Sequence, residues 1–463
     1  MLKLRQLCPL ALAIAAAFPT VASAQSNDEL LKELRALRER VSQLEAKQAA
    51  ADAKPTPEWG MTQEQAANLA RTTTKTEALE DAIESLGLKG LKISGVIDPT
   101  YIFNRARRTA SFAFLNNFAG TETFAYDNSY FGMAVIDFQK ELEGGTRWRL
   151  TLAPHKSVGS NYNFPSIVHE ASVSIPFDGL SNRVWAGQIP DWSGYEYYLA
   201  NQTKFVTHGM MFDFLAPTYY TAVGTDMTSG KWQVKAALGN MNASRYNPDA
   251  KGNSLRSPMF STRVDYSKGE FNGWGSALQI GKTTNNVAGG TSLLQNFEVD
   301  GYFIRGDVTV QGQFNAGQQK GAAYNGGNSR WYGLSGLAAY KVTPRLELAS
   351  RFDYINNARN GGGTFNIAFG TCADNTTCPD GRNGFGPGAE LDATTGNWGV
   401  TNPDKGANRY ALSLAANYAL TPNATLKMEY RYDAANLTVF QYASDGGYRK
   451  NNQLFGGSVV VSF

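Results

Sequence analysis

The sequence is poor in histidine and in the motifs of catalysis, and this excludes most enzyme classes. The chain has 463 residues but only three histidines, His155, His169 and His208. They are not accompanied by a Gly-x-Ser-x-Gly elbow, a P-loop or a zinc motif. A hydrolase would need a nucleophile in contact with one of these histidines. The sequence therefore predicts no enzyme, no cofactor and no metal site.

Charge and long apolar runs are also scarce. Charged residues make up only 18% of the chain, with 43 Lys and Arg against 40 Asp and Glu, which argues against nucleic acid as a partner. After residue 24 no run of 18 apolar residues occurs, so no transmembrane helix is predicted. In contrast, Tyr, Phe, Trp and Gly number 22, 25, 8 and 47. Such a composition fits a transmembrane β-barrel, with a secreted soluble β-protein as the alternative.

The N-terminus has the pattern of an export signal. Lys3 and Arg5 precede an apolar stretch over residues 7–18, and Ala22-Ser23-Ala24 forms an A-x-A cleavage site. We expect residues 1–24 to be a signal peptide; an uncleaved anchor is the alternative. Export leads to an oxidising compartment, so Cys372 and Cys378 are predicted to form a local disulfide.

Residues 25–54 have a helical repeat. Apolar residues recur at alternating spacings of four and three, which are the a and d positions of a coiled coil: Leu30, Leu34, Leu37, Val41 and Leu44. The repeat is short, so we expect it to need partner chains. Residues 55–89 are predicted to contain a linker and a second, weaker helix. A pair of helices folded on each other or on the barrel is the alternative.

From about residue 90 the period changes to two, which predicts an antiparallel transmembrane β-barrel over residues 90–463. In 409–420 mostly large apolar residues alternate with Ala, Ser and Asn, and in 425–433 apolar and mostly charged residues alternate. Seventeen candidate strands can be drawn, among them 203–214 and 218–227. Because bacterial barrels prefer even numbers, we predict about 16 strands, with about 18 as the alternative.

A strand, turn and strand unit occurs twice near the C-terminus. Thr343-Pro344 and Thr421-Pro422 each separate two alternating runs. We interpret them as equivalent hairpins with short periplasmic turns. Long segments such as 356–407 are then predicted to lie outside the cell.

The last strand carries a recognisable pattern. Apolar residues stand at every second position before a final aromatic residue, and the side chains concerned are Phe455, Val459, Val461 and Phe463. This pattern resembles the C-terminal signal of bacterial outer-membrane proteins. The resemblance implies insertion into the outer membrane by the barrel assembly machinery.

The order of signal peptide, coiled coil and barrel resembles outer-membrane porins of the phosphate-selective type or an uncharacterised porin-like branch. Gly187-Gln188-Ile189-Pro190 resembles a short run of that group. The resemblance, with a coiled coil that needs partners, implies a homotrimer in the outer membrane, in contact with lipid and lipopolysaccharide and with its coiled coil in the periplasm. If the coiled coil instead tethers the membrane to the cell wall, peptidoglycan is an expected partner. A ladder of clustered Arg and Lys is not evident, so phosphate selectivity is not carried over.

Eleven charged residues are candidates for the pore lining. They comprise a basic cluster after the first strand and the charges on the predicted inward faces: Arg105, Arg107, Arg108, Arg345, Glu347, Arg351, Asp353, Lys427, Glu429, Arg431 and Asp433. The basic cluster could equally be a solvated loop, and the paired charges could simply neutralise one another. The sequence thus predicts a porin for small hydrophilic solutes or ions. The alternatives are an envelope tether and, less favoured, an outer-membrane hydrolase.

Overall fold

The computed structural model describes a barrel and parts of an N-terminal helical region. The described residues are 35, 38–43, 45–46, 62, 65, 68–69, 71–75, 90–114, 132–153, 167–217, 219–241, 258–285, 287–364 and 384–463. The chain divides into two units, Met1–Lys89 and Gly90–Phe463. The predicted signal peptide and the cysteines Cys372 and Cys378 lie outside the described residues.

The described part of the first unit is helical at residues 35, 38–43, 45–46, 65, 68–69 and 71–75. Thr62 and Gln65 form a capping box, in which each backbone N–H donates to the other's side chain at 3.0 and 3.2 Å. The coiled coil stays a prediction. Among the described residues, no helix is both long and apolar enough to cross a membrane.

The second unit is a closed antiparallel barrel of sixteen wall strands, as predicted. Its sheet has eighteen hydrogen-bonded segments, but two wall strands are each built from two segments in line. The strands are β1 (Leu91–Ile97 and Thr100–Asn104), β2 (Thr109–Ala113 and Ala134–Glu141), β3 (Arg147–Leu152), β4 (Val168–Asp178), β5 (Asn182–Pro190), β6 (Tyr219–Ser229), β7 (Trp232–Met241), β8 (Met259–Gly269), β9 (Asn272–Thr284), β10 (Thr291–Arg305), β11 (Val308–Gln319), β12 (Ser329–Lys341), β13 (Leu346–Asn356), β14 (Arg409–Thr421), β15 (Ala424–Ala435) and β16 (Asn451–Ser462).

The barrel closes where β16 pairs with β1 on one side and with β15 on the other. Phe463 extends the closing ladder by exchanging backbone hydrogen bonds of 3.0 and 3.1 Å with Gly95. The interruption of β1 falls at Pro99, which has no N–H to donate to a ladder. Closure leaves no free sheet edge. This is required in lipid, because unpaired backbone N–H and C=O groups there have no water to bind.

The strand faces alternate between lipid and lumen. In β12, every odd-numbered residue from Ser329 to Ala339 is buried and every even-numbered one is exposed. The same alternation runs from Arg409 to Ala415 in β14, where Tyr410, Leu412 and Leu414 face outward as predicted. Two groups of aromatic rings mark the ends of the apolar band. Trp232, Tyr266 and Trp274 lie at one end, and Tyr332, Tyr354 and Tyr410 at the other.

The two ends of the barrel differ in their connections. At the end that contains Gly90 and Phe463, the strands are joined by short turns, among them the two Thr-Pro turns at 342–345 and 422–423. At the other end the connections are mostly long, and the longest spans residues 357–408. Within it, Ala389–Leu391 pairs with Trp398–Val400, and beyond it Phe440–Gln441 pairs with Tyr448–Arg449. Bacterial barrels keep short turns in the periplasm and long loops outside.

One candidate strand is wrong. Residues 203–214 contain no strand; they belong to the connection between β5 and β6, which ends in a π-helical turn at Met211–Leu215. A 3₁₀ turn at Ala200–Gln202 precedes it. The reason is that the segment never meets lipid, so nothing imposes the two-residue alternation of a wall strand.

Candidate pore constriction

The connection between β5 and β6 folds into the barrel, and we call residues 191–217 the lumen loop. Its side chains and backbone reach the inward faces of strands far along the chain. The Gly194 N–H donates to Glu298 of β10 at 2.8 Å, and the Tyr195 hydroxyl lies 2.6 Å from the Ser335 hydroxyl of β12. A loop that crosses the interior narrows the water-filled space that a sixteen-strand barrel would otherwise leave.

A salt bridge with β13 is the central attachment of the lumen loop. Arg351 Nη1 lies 2.6 Å from Glu196 Oε1, and both side chains are almost completely buried. The Arg351 Nε donates to Asp353 at 3.2 Å, and its Nη2 donates to the Thr207 carbonyl at 3.2 Å. The guanidinium also lies 4.3 Å above the Phe205 ring. A single wall residue therefore holds three parts of the loop.

Glu196 itself is set in a polar pocket of the loop. Its Oε2 accepts a hydrogen bond from the Gly209 N–H at 2.6 Å. Burial raises the pKa of this carboxyl, and the positive charge of Arg351 opposes that rise. The His208 Nε2 lies 2.8 Å from the Tyr197 carbonyl, so the two limbs of the loop are joined to each other. These contacts give the loop a defined internal structure.

β15 provides the second line of attachment. The Thr207 N–H and hydroxyl donate to Glu429 at 2.7 and 2.8 Å. The Lys427 ammonium donates to the carbonyls of Ala200 and Thr203. Arg431 Nη1 donates to the Thr207 hydroxyl and to the His208 carbonyl, each at 3.1 Å. Inward charges of β15 thus satisfy loop carbonyls and hydroxyls that would otherwise be buried without partners.

Apolar contacts attach the loop to the wall in two further places. Met210, Met211, Phe214 and Leu215 pack with a cluster on several strands that includes Leu294, Trp331 and Ile355. The Tyr198 ring stacks on His169 of β4 at 3.9 Å and joins a second cluster. Because such contacts exclude water, they hold the loop independently of the salt bridges.

The inward charges predicted from the sequence are thus brought together, but under the loop. Arg351, Asp353, Glu429, Arg431 and Asp433 are buried, each at 2% exposure or less. Their pore-lining role stays a prediction, since their contacts are with the loop, with one another and with Arg409 of β14. Two further candidates, Lys427 and Glu347, also bind the loop, the latter through a 2.7 Å salt bridge to Lys204.

The remaining candidates lie at the two ends. Arg345 is exposed in the short turn between β12 and β13. Arg105, Arg107 and Arg108 form the turn between β1 and β2, at the end with the long loops. Arg107 is buried there, and Arg108 has a positive φ of 53°. Ala106, within this turn, packs with Ala435 at the end of β15.

The sequence did not single out the residues that face the more open part of the lumen. On β2, β3 and β4, the Arg149 Nε donates to Asp137 at 2.8 Å and its Nη1 lies 3.2 Å from Glu170. The Arg149 side chain keeps 38% of its surface exposed, unlike the guanidinium of Arg351. The alternation of Arg147, Arg149 and Thr151 does indicate an inward polar face on β3. Because β3 is only six residues long, this pattern is weak.

Another charged cluster lies on β8 and β10. Arg263 donates to both carboxylate oxygens of Asp300, at 2.6 and 3.1 Å, and its Nη2 lies 2.7 Å from Asp265. The inner wall therefore carries charges of both signs on several sides. A polar, charged lumen inside an apolar outer band is the arrangement of a water-filled channel.

The chain matches a protein family and is similar to several solved structures. A family model described as protein of unknown function (DUF3138) matches residues 62–463. No curated protein matches the sequence.

Similar solved structures include a loop L8 deletion mutant of OmpT, an outer membrane protein of Vibrio cholerae, at 12% identity and a TM-score of 0.48. The match covers 81% of this chain and 99% of that one. An anion-selective porin from Comamonas acidovorans matches at 10% identity and a TM-score of 0.48, over 81% and 99% of the two chains. The channel DcaP of Acinetobacter baumannii matches at 10% identity and a TM-score of 0.47, over 81% and 97%.

Proposed function

The chain belongs to the DUF3138 family, and we propose that it is a porin through which small hydrophilic solutes and ions diffuse across the outer membrane. One observation carries the proposal. A barrel of sixteen strands is too wide to be filled by its own side chains, and here a loop pinned by salt bridges divides the interior. A barrel that served only as a membrane anchor would not need a loop fixed across its interior.

The charges on the open side of the lumen support passage of polar solutes. Arg149, Asp137 and Glu170 form a mixed cluster whose cation remains partly exposed to water. Charges of both signs across a narrow passage favour small polar molecules and ions over apolar ones. They do not single out phosphate, because Arg149 is already neutralised by two carboxylates.

Planar-bilayer recording of the purified, folded protein tests the proposal. We expect discrete conductance steps, and we expect vesicles that contain the protein to swell in small sugars but not in large oligosaccharides. Arg149→Ala should alter the step size, whereas Arg305→Ala, which removes a lipid-facing cation at the short-turn end, should not. A folded barrel that gives no steps under any of these conditions would refute a porin.

Assembly is a further part of the proposal. We propose a homotrimer whose N-terminal segment pairs with its counterparts in the periplasm, after insertion by the barrel assembly machinery. Deleting residues 26–89 separates this role from envelope tethering. If the trimer dissociates, the segment acts in assembly. If the trimer and the conductance persist while the envelope weakens, the segment acts as a tether, with peptidoglycan as its partner.

A further inference from the structure

The lipid-facing surface of the barrel has an open groove of about 340 Å³ across β9 to β12. Its volume falls within the range of roughly 300–1,000 Å³ that ligand pockets occupy. The groove is lined by Leu278, Gln295, Asn296, Phe297, Ala316, Gly317, Gln318, Arg330 and Trp331. Six of these nine residues, among them Phe297, Ala316 and Arg330, lie on the outer face of the strands, so the groove opens on the outer surface of the barrel.

The groove arises from one small residue in a row of large ones. The strand register places Leu278 beside Phe297, Phe297 beside Ala316, and Ala316 beside Tyr332. A methyl side chain between two aromatic rings leaves a slot in the outer surface. Its floor is the backbone of the sheet, so the slot is apolar and suits a hydrocarbon chain.

The end of the groove toward the long loops is polar. The Gln318 Nε2 donates to Gln295 Oε1 at 2.6 Å across the next row. In the strand register, Arg330 pairs with Gln318. Lys282 pairs with Leu293, which lies two residues beyond Gln295 toward the long loops. The Lys320 N–H donates to the Leu293 carbonyl at 3.0 Å, so Lys320 lies level with Leu293 and Lys282 along the barrel axis. Lys282 and Arg330 are three strands apart, about 14 Å at the usual spacing of about 4.8 Å, so their long side chains and that of Lys320 lie within reach of one phosphate group.

These three cations have no anionic neighbours on the surface. Lys282, Lys320 and Arg330 are all exposed. None of them forms a salt bridge with a carboxylate in the described part of the chain. The lipid-facing positions of β9 to β12 contain no Asp or Glu, since Glu298 and Asp300 of β10 are buried inside. Three unpaired cations at a membrane interface attract an anionic headgroup.

The position of the groove along the barrel axis determines which lipid it meets. Tyr332, at its edge, belongs to the aromatic group at the end with the long loops. That end faces outward, where the outer leaflet of this membrane carries phosphorylated glycolipid. A second copy of the chain related by a two-fold axis is a poorer occupant, because that contact would bring six cations together; a contact within a trimer would show as changed association of protomers in the test below.

We propose that the groove binds one acyl chain of a phosphorylated glycolipid of the outer leaflet, while Lys282, Lys320 and Arg330 hold its phosphate. Charge and shape act together at this site. The cations select a phosphorylated headgroup over a zwitterionic one, and the slot over Ala316 fixes the position of the chain below it.

Native mass spectrometry of the folded barrel, titrated with diphosphorylated lipid A, tests the proposal. We expect one tightly bound lipid A, with weaker binding of its monophosphoryl form and of phosphatidylglycerol. The triple variant Lys282→Gln, Lys320→Gln and Arg330→Gln should bind lipid A about 100-fold more weakly, given the usual contribution of each basic residue near an anionic surface. Ala316→Trp, which fills the slot and keeps every charge, should also weaken binding.

Arg305→Gln is the matched control, since it removes an exposed, lipid-facing cation at the opposite end of β10. It should bind lipid A as the unchanged protein does. The temperature at which each barrel loses its compact electrophoretic form checks that all variants fold. The proposal fails if the triple variant binds lipid A like the unchanged protein. It also fails if Ala316→Trp leaves binding intact, or if the variants change only the association of protomers.

Discussion

Arg351 of β13 and Glu196 of the lumen loop form a 2.6 Å salt bridge, and each side chain is less than a tenth exposed. They stand 155 positions apart in the sequence, so the pair links the loop to the far wall. Breaking a buried pair by removing one partner costs more than the pair contributes, because the other charge stays buried alone. This makes Arg351 the most sensitive point of the constriction.

Arg351→Ala should therefore destabilise the barrel by about 3–5 kcal/mol, the usual cost of leaving a buried charge unpaired. It should also increase current noise, because the loop loses contacts at Glu196, Thr207 and Phe205. Urea unfolding in micelles measures the first effect, and bilayer recording measures the second. Arg345→Ala removes an exposed arginine from the adjacent turn and should change stability by less than about 0.5 kcal/mol. Equal unfolding midpoints for the two variants would contradict the role given to Arg351.

Lys427→Met should loosen the first half of the lumen loop without changing the volume of the side chain greatly. The carbonyls of Ala200 and Thr203 would lose the ammonium that they bind. Each buried group left without a partner costs about 1–3 kcal/mol. Trypsin cleavage after Lys204, which is paired with Glu347 in the folded barrel, reports such loosening.

We expect trypsin to cut the Lys427→Met variant at Lys204, whereas the unchanged protein should not be cut at Lys204 under the same conditions. Lys341→Met, at the exposed end of β12, is the control and should leave Lys204 protected. If all three proteins are cut at the same rate, Lys427 does not hold the loop.

Gly95→Leu should impair closure of the barrel. The Phe463 ring lies directly over Gly95, and any side chain there would overlap the ring and the Val135 carbonyl. The same two residues share the hydrogen bonds that extend the closing ladder. Gly336→Leu is a matched control, because Gly336 lies on the outer face of β12 with open space around it. The fraction of protein in the compact, heat-modifiable form should fall for the first variant only; an equal fraction in both would show that the contact with Phe463 is dispensable.

The wall could be predicted from the sequence because lipid and water place opposite demands on neighbouring residues. In β14 and β15, Leu412 and Tyr430 must face lipid while Ser413 and Arg431 must not, so a period of two is readable without any knowledge of the fold. The predicted count of sixteen strands followed from that period and from the preference for even numbers.

The constriction could not be predicted in the same way. Residues 203–214 meet only other parts of the protein, so their order of polar and apolar residues follows the local contacts of the loop. The salt bridge of Glu196 with Arg351 depends on the closed barrel, and a single sequence does not pair residues so far apart. The length of chain between β5 and β6 is the one available signal, and it is concealed because the pattern of 203–214 predicts a strand.

Arg149 and Asp137 should set the ion preference in opposite directions. Arg149→Gln removes the one cation that pairs with both Asp137 and Glu170, which leaves two carboxylates facing the lumen. The reversal potential under a salt gradient should then shift toward cation preference. Asp137→Asn should shift it toward anions. Arg305→Gln, outside the lumen, should leave it unchanged. If both lumen variants move the potential in the same direction, a change of pore shape rather than of charge is responsible, and Arg149 does not face the ion path.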